Sequence, residues 1–474
     1  MNFLKTKNPL KATLLFGVFS ILRSGISLLL LPIFLSYLSP EDYGIISLVV
    51  IYSSIVVIIG SLGLKSALFT FYFDFDNANE LKRYLSNLFS LHILTFSLIV
   101  VIHILFGENI YGFLFSSNKV SFNDFGLIAL LSVLFEALNS LYFVFLKNEV
   151  NLKAYFRYTI STIVLTVFFQ VLFITYCRLG VLGFLYGMLI PNIIVFLCIS
   201  FSNNYLYTIK FKKKLLYPSL NFSLRLMPFL LFFAFENRID KYLVELNLGL
   251  ESVGLYSLLI KVFGLLTIAL NAFDDGIRPF FYRNLKESKS LVNKYFNLYF
   301  GFGILILTVI NSIGYNLEYI LKNKDYLVIQ EYFLIGSIVF IMIIPVRFYG
   351  LVLVFYKESK KLSYLAFIKV TIITVLMILL IPKFELYGAL YALFFSYLVN
   401  IIMFSYILYQ KINVIPNWKS LIYLSIFMIG SYLTFQQMES GQKLLYSGVY
   451  LAVLMGAFIW LYKKEGYAII KQKI

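Results

Sequence analysis

Six basic side chains stand inside apolar stretches of this sequence: Arg23, Lys65, Arg225, Lys261, Arg347 and Lys369. A charge at the centre of a bilayer costs about 2.5–3.5 kcal/mol, so such residues persist where they face a wet cavity or a partner. Arg23 lies about eleven residues into its run, roughly 16 Å deep at 1.5 Å per residue, too far for easy snorkelling. Lys261 is similarly central, whereas Lys65 and Arg225 lie nearer run ends, where the side chain can reach the interface. Guanidinium groups match the oxygens of a phosphate-like anion bidentately, and ammonium groups serve as point charges. Together the four could line a cationic cavity for a multiply charged anion. The plainer alternative pairs each with an acid for packing. Glu136 is the deep carboxylate of the first half; it could take up a proton or Na⁺, but neutralising a neighbour such as Arg23 or Lys65 needs fewer assumptions. Asp240 carries the same two readings. Arg347 and Lys369 read either as cavity residues or as satisfied structural charges, and Asp274, Asp275 and Arg278 as a solvated helix end.

Catalytic chemistry finds no comparable constellation. His92 and His103 are eleven apart on one run, poor spacing for metal ligands, and read as packed rings. Cys177 and Cys198 supply neither a disulfide framework nor a metal cluster. Gly301-Phe302-Gly303 lacks the third glycine and the preceding strand of a dinucleotide loop, and no phosphate-binding P-loop is present. The expectation is a protein without cofactor or metal and not an enzyme.

The elements that must position the charges are membrane helices. The 474 residues are 61% hydrophobic and 13% charged, with a mean hydropathy of +0.87. A soluble protein carries roughly 25% charged residues, so about half the usual charge is missing. The apolar runs are long and continuous rather than alternating, which indicates an all-α polytopic membrane protein. Fourteen spans are expected. The first six are Ala12–Tyr37, Gly44–Phe73, Tyr84–Phe106, Phe125–Leu146, Phe156–Cys177 and Val181–Phe201. The next six are Leu220–Glu236, Val253–Ile277, Tyr295–Ile313, Ile329–Tyr356, Leu362–Ile381 and Leu386–Tyr409. Leu421–Met438 and Leu444–Tyr462 complete the set. The first stretch, behind Lys5, Lys7 and Lys11, is too long for a signal-peptide core and reads as a span.

The net charge of +17 is a topology signal rather than a nucleic-acid footprint. With the N-terminus cytoplasmic, 26 of the 40 Lys and Arg fall on that side and 8 on the other, the remaining six lying in spans. Short loops biased in this way predict cytoplasmic termini at both ends.

The chain also echoes itself. Pro40-Glu41-Asp42-Tyr43-Gly44 matches Leu250-Glu251-Ser252-Val253-Gly254; Gly183-Phe184-Leu185-Tyr186 matches Gly388-Ala389-Leu390-Tyr391; Asn192-Ile193-Ile194 matches Asn400-Ile401-Ile402. The offsets are 210, 205 and 208, one duplication of six spans. Six being even, the copies enter the membrane from the same side, the plan of two facing bundles in an alternating-access transporter. The expected division is 1–215 and 216–410 for the bundles and 411–474 for an extra helix pair with a basic tail.

Arg23-Ser24-Gly25, then Pro32 and Leu38-Ser39-Pro40-Glu41-Asp42-Tyr43-Gly44, resemble the opening of bacterial polysaccharide exporters. Asn237-Arg238-Ile239-Asp240-Lys241 and Ser252-Val253-Gly254-Leu255-Tyr256-Ser257 agree in the second half. These exporters are the O-antigen and capsule repeat-unit flippases of the multidrug/oligosaccharidyl-lipid/polysaccharide exporter superfamily. The resemblance implies an inner-membrane flippase that carries an undecaprenyl-pyrophosphate-linked oligosaccharide to the outer leaflet. Its partners would be that lipid, the surrounding membrane lipids, H⁺ or Na⁺ as coupling ion, and other polysaccharide-assembly proteins. In the related lipid-II flippases basic residues on the first, second and eighth helices line the cavity, and Arg23, Lys65 and Lys261 occupy those helices here. Three rivals stay open: a lipid-II-type flippase of the same superfamily, an ion-coupled exporter of cationic drugs, which would want an acidic cavity, and a membrane glycosyltransferase, which would want an acidic catalytic pair.

Overall fold

The computed structural model describes residues 30–75, 77–149, 151–203, 206, 213–236, 238–287, 290–356, 359–409, 430 and 440–471. Arg23 and the rest of the first span before Leu30 lie outside the described residues, as does the thirteenth span apart from Gly430. The described chain is helical, and nine of its helices are long and apolar enough to cross a membrane. It is an all-α polytopic membrane protein.

In chain order the helices are α1 (Pro40–Ser61), α2 (Leu64–Phe71), α3 (Ala78–Leu114), α4 (Leu127–Asn148), α5 (Leu152–Val171) and α6 (Gly180–Ser202). They continue as α7 (Lys213–Glu236), α8 (Ile239–Glu287), α9 (Ser290–Tyr315), α10 (Phe333–Phe355), α11 (Ser359–Tyr409) and α12 (Ser440–Lys471). The chain forms two compact units, Met1–Gly254 and Leu255–Ile474. The helix α7 and the beginning of α8, which the repeat assigns to the second copy, therefore pack with the first-unit helices. In the first unit α4, α5 and α6 lie against one another. In the second, α10 packs on α9 and α11, and α9 on α12.

Local chemistry explains the element ends. The Leu38-Ser39-Pro40-Glu41-Asp42 motif is a helix start. Ser39 Oγ accepts from the Asp42 amide at 3.1 Å, the Ser39 amide donates to the Asp42 carboxylate at 3.0 Å, and Pro40 fills the first turn, where no amide is needed. The second span is broken: Leu62 (φ 47°) and Gly63 (φ 69°) are both left-handed, ending α1 and redirecting the chain into the short α2. Sequence placed the end of span 7 at Glu236 and Arg238 and Lys241 in an outward loop. The helix does end at Glu236 and Arg238 stands in a turn, but Lys241 is in helix, which resumes at Ile239 and runs to a bend at Gly249 (φ 80°).

The duplication has a structural counterpart at each echo. Arg178 (φ 52°) and Glu385 (φ 51°), offset by 207, are left-handed residues that turn one span into the next. Just beyond them Gly183 presses on the Phe173 carbonyl and Gly388 on the Leu380 carbonyl, so neither position has room for a β-carbon. Asn192 and Asn400, both buried, each donate to the carbonyl four residues back, Met188 at 3.0 Å and Ser396 at 3.2 Å. Gly44 and Gly254 cross reciprocally, Gly44 against the Leu250 carbonyl and Gly254 against the Pro40 carbonyl. Equivalent residues exchanging partners in this way mark a local pseudo-two-fold axis.

Candidate functional site

The break at Leu62–Gly63 places Lys65 at the start of α2, half-buried. Neighbouring helices hold α2 in place. Asn148 on α4 donates to the Leu68 carbonyl at 3.3 Å, and Phe71 meets Phe222 on α7 edge-on at 5.7 Å. Behind them, the Tyr84 hydroxyl and Ser219 share a hydrogen bond of 2.7 Å that ties α3 to α7. The helices carrying Glu136 (α4) and Arg225 (α7) thus both adjoin the one carrying Lys65. Arg225 is exposed and Glu136 half-buried. Lys261, half-buried on α8, belongs to the second unit. Asp240 is 8% exposed, and its Oδ1 accepts from the Lys241 amide at 2.9 Å.

Charges elsewhere fall out differently from the sequence reading. Asp274 is not a solvated helix end: it is 5% exposed and lies 3.7 Å from Arg347, which also donates to Asn271. Arg347 is thus a charge paired with an acid. Lys369 stands over the Tyr397 ring at 4.6 Å, a cation–π contact. His92 is fully buried with its ring 4.6 Å from that of Phe96, and His103 bonds the Tyr52 hydroxyl and the Ile99 carbonyl, both at 2.8 Å. Among the described residues no group of His, Cys, Asp and Glu is arranged to hold a metal. Gly303 sits inside α9 against Ile344, a helix-packing position rather than a nucleotide loop.

One buried polar cluster escaped the sequence reading. Glu245, 1% exposed, accepts at Oε1 from the Ser116 amide at 2.9 Å, the Ser116 hydroxyl at 2.6 Å and the Ser117 amide at 3.1 Å. Beside it Lys119 pairs with Glu41 at 2.6 Å. With the Gly44–Gly254 crossing, these contacts clasp α1, the end of α3 and the start of α8 at one end of the first unit. A buried carboxylate with three donors on one oxygen is a strong but breakable latch. The signal available beforehand was a single acid in the Leu-Val-Glu-Leu stretch, with partners 129 residues away.

Comparison with known proteins fits this arrangement. A family model described as "Polysaccharide biosynthesis protein" matches residues 36–298, more than half of the chain. The chain belongs to that family. A search of curated proteins found no match. Among solved structures, the lipid II flippase MurJ in an inward closed conformation superposes with a TM-score of 0.65 at 16% identity, over 97% of this chain and 98% of that one. An inward-facing multidrug resistance transporter of the MATE family gives 0.54 at 12% identity, over 84% and 95%. A transporter from Pyrococcus furiosus, described by the reverse polarity of its binding pocket, gives 0.52 at 11%, over 83% and 95%. The family member therefore has the fold shared by MOP superfamily transporters.

In this setting Glu136 can be tested as a neutralising charge. Glu136→Gln is expected to lower the amount of folded protein in the membrane while leaving any ion dependence of transport intact. A variant that folds normally but stops responding to a proton or Na⁺ gradient would make Glu136 a coupling site instead.

Proposed function

We propose that this member of the polysaccharide biosynthesis family is a flippase that moves an undecaprenyl-pyrophosphate-linked oligosaccharide from the cytoplasmic to the outer leaflet by alternating access. The observation that carries the reading is the sign of the intramembrane charge in a transporter fold. Six basic residues stand in the spans against two deep carboxylates, Glu136 and Asp274, and Asp274 is already paired with Arg347. A pyrophosphate needs such cations, whereas a cationic drug needs acids. Arg23, Lys65, Arg225 and Lys261 are assigned to the substrate's anion, with Glu136 and Asp240 as neutralising or coupling groups. The repeat halves 1–215 and 216–410 supply the moving bodies, with α7 and the beginning of α8 staying with the first. The latched end, with Pro40, Ser116 and Gly249, faces outward, and both termini are cytoplasmic. O-antigen, capsule and other surface polysaccharides share the lipid-pyrophosphate chemistry that this reading requires.

Topology gives the simplest test. Cysteines introduced at Asn118 and Asn323 should react with an impermeant maleimide in intact cells, and cysteines at Ser288 and Ser359 should not, given the 26-to-8 loop asymmetry. Labelling at Ser288 from outside would invert the middle of the scheme. The function itself is tested by restoring surface polysaccharide in a strain that lacks its own flippase.

A further inference from the structure

Arg347 on α10 reaches across to α8. Its Nη2 donates to the Asn271 side chain and lies 3.7 Å from the Asp274 carboxylate, with the Tyr299 hydroxyl of α9 beside the pair. All four residues belong to the second unit. About two turns earlier on α8, Phe263 stacks on Phe340 at 4.9 Å and sets the two helices side by side.

The contact is not that of a closed structural pair. Charge-assisted N–H···O bonds run about 2.7–2.9 Å, and Asp274 stays outside that range. A guanidinium offers several N–H donors; Nη2 serves Asn271, while Nε is buried with no hydrogen-bond partner among the described residues. The Arg347 side chain is nonetheless 26% exposed, against 5% for Asp274, so the fork is reachable and the acid is not. Space adjoins the fork on both helices. Gly350, one turn beyond Arg347, has no atom within 4 Å of the place a β-carbon would take, and neither has Gly264 on α8. Lys261, Gly264, Ile268 and Asn271 recur at three and four residues, which keeps them on one side of α8.

We infer that Arg347 is an oxyanion-binding residue, held loosely by Asp274 until a phosphate or sugar carboxylate of the transported lipid takes the guanidinium. The inference rests on the flippase reading above. The chemistry of the fork selects the occupant. Phosphate and carboxylate each present two oxygens at the spacing of the guanidinium's donors, whereas a neutral sugar or an apolar chain leaves the charge unanswered. Asn271 holds Nη2 and so limits the directions the fork can take. Ten residues, about 15 Å of helix, separate Asn271 from Lys261, so Arg347 is a second anion contact rather than a share of the first. Asp274 makes the binding reversible. A carboxylate that competes for the guanidinium lowers the apparent affinity of the anion, which is then released again.

The probes are radiolabelled inorganic pyrophosphate and methyl glucuronide, titrated separately onto purified full-length protein in nonionic detergent and read by scintillation proximity. The parent should bind at least one, and Arg347→Gln should bind it about tenfold or more weakly, the loss of a charge-assisted bond. Arg347→Lys should recover only part, because the planar fork is gone. Asp274→Asn gives the result that a structural pair cannot: with the competing charge removed, binding should tighten several-fold. Gly350→Leu fills the space beside the fork and should weaken binding, and Lys383→Gln, in an exposed turn, should not. A loss seen with pyrophosphate assigns the site to the lipid's own phosphates, and one seen with the glucuronide assigns it to an acidic sugar; both bear the inference out. Undiminished binding of both probes by Arg347→Gln, or unchanged or weaker binding by Asp274→Asn, overturns it and leaves the flippase reading, which rests on movement of lipid, intact. Should Asp274→Asn fail to fold, unchanged binding by Gly350→Leu overturns it equally, as does a parent that binds neither probe. A parent that binds through Arg347 and moves no lipid refutes the flippase reading alone.

Discussion

Glu245→Ala is expected to open the latched end of the protein. The substitution removes one oxygen that accepts from the Ser116 amide, the Ser116 hydroxyl and the Ser117 amide. Hydrogen bonds to a charged group contribute about 1.5–3 kcal/mol each and are not additive, so about 3 kcal/mol of closure is at stake. That corresponds to roughly a hundredfold shift in the equilibrium between closed and open forms. A cysteine at Ile46, 3% exposed beside Gly44, reports it: maleimide labelling should accelerate by about that factor in Glu245→Ala. Glu245→Gln keeps an acceptor oxygen without the charge and should fall between. Unchanged labelling in the alanine variant would show that the Gly44–Gly254 crossing alone holds this end.

The second large effect concerns the proposed cationic cavity. Arg23→Ala or Lys261→Ala should weaken transport by roughly ten- to a hundredfold, the loss of one or two charge-assisted bonds to a desolvated pyrophosphate. The amount of protein in the membrane should not change. Arg23→Lys should rescue in part, because the charge survives and the planar fork does not. Lys383, exposed in the turn between the two halves of α11, is the control, and its neutralisation should do little. Normal levels of both alanine variants with full transport would make these charges structural.

Much of the fold was legible because a spanning helix needs a long apolar run and little else. The spans from Gly44–Phe73 to Leu386–Tyr409 each correspond to helix in the structure, and the fragment echoes at offsets near 208 mark turns and contacts that recur. The errors share one physical origin: polarity was read locally, whereas its tolerance is decided by distant partners. Asp274 looked solvated because it ends an apolar run, yet it is buried through Arg347, 73 residues later. Lys241 looked like a loop because charges interrupt the run, yet helix resumes at Ile239. Glu245 went unnoticed because Ser116 and Ser117 are far away in sequence. The left-handed turns at Leu62, Arg178 and Glu385 carry no residue signal, since non-glycine side chains rarely adopt that conformation. Of the proposed site, the basic residues could be named from the sequence, but the adjacency of the helices that carry Lys65, Glu136 and Arg225 could not. The Leu62–Gly63 break sets where Lys65 stands, and only Gly63 hints at it.

The central claim, transport of an anionic lipid-linked oligosaccharide, is tested most directly in vesicles containing the purified full-length protein and a fluorescent undecaprenyl-pyrophosphate oligosaccharide loaded on one leaflet. The quantity measured is the fraction of label that becomes accessible to a membrane-impermeant quencher on the other side. The account predicts that the protein moves the label, that Lys261→Ala moves it roughly ten- to a hundredfold more slowly, and that an uncharged polyprenyl oligosaccharide is moved poorly. Equal movement of the charged and uncharged lipids, or none of either, would contradict it.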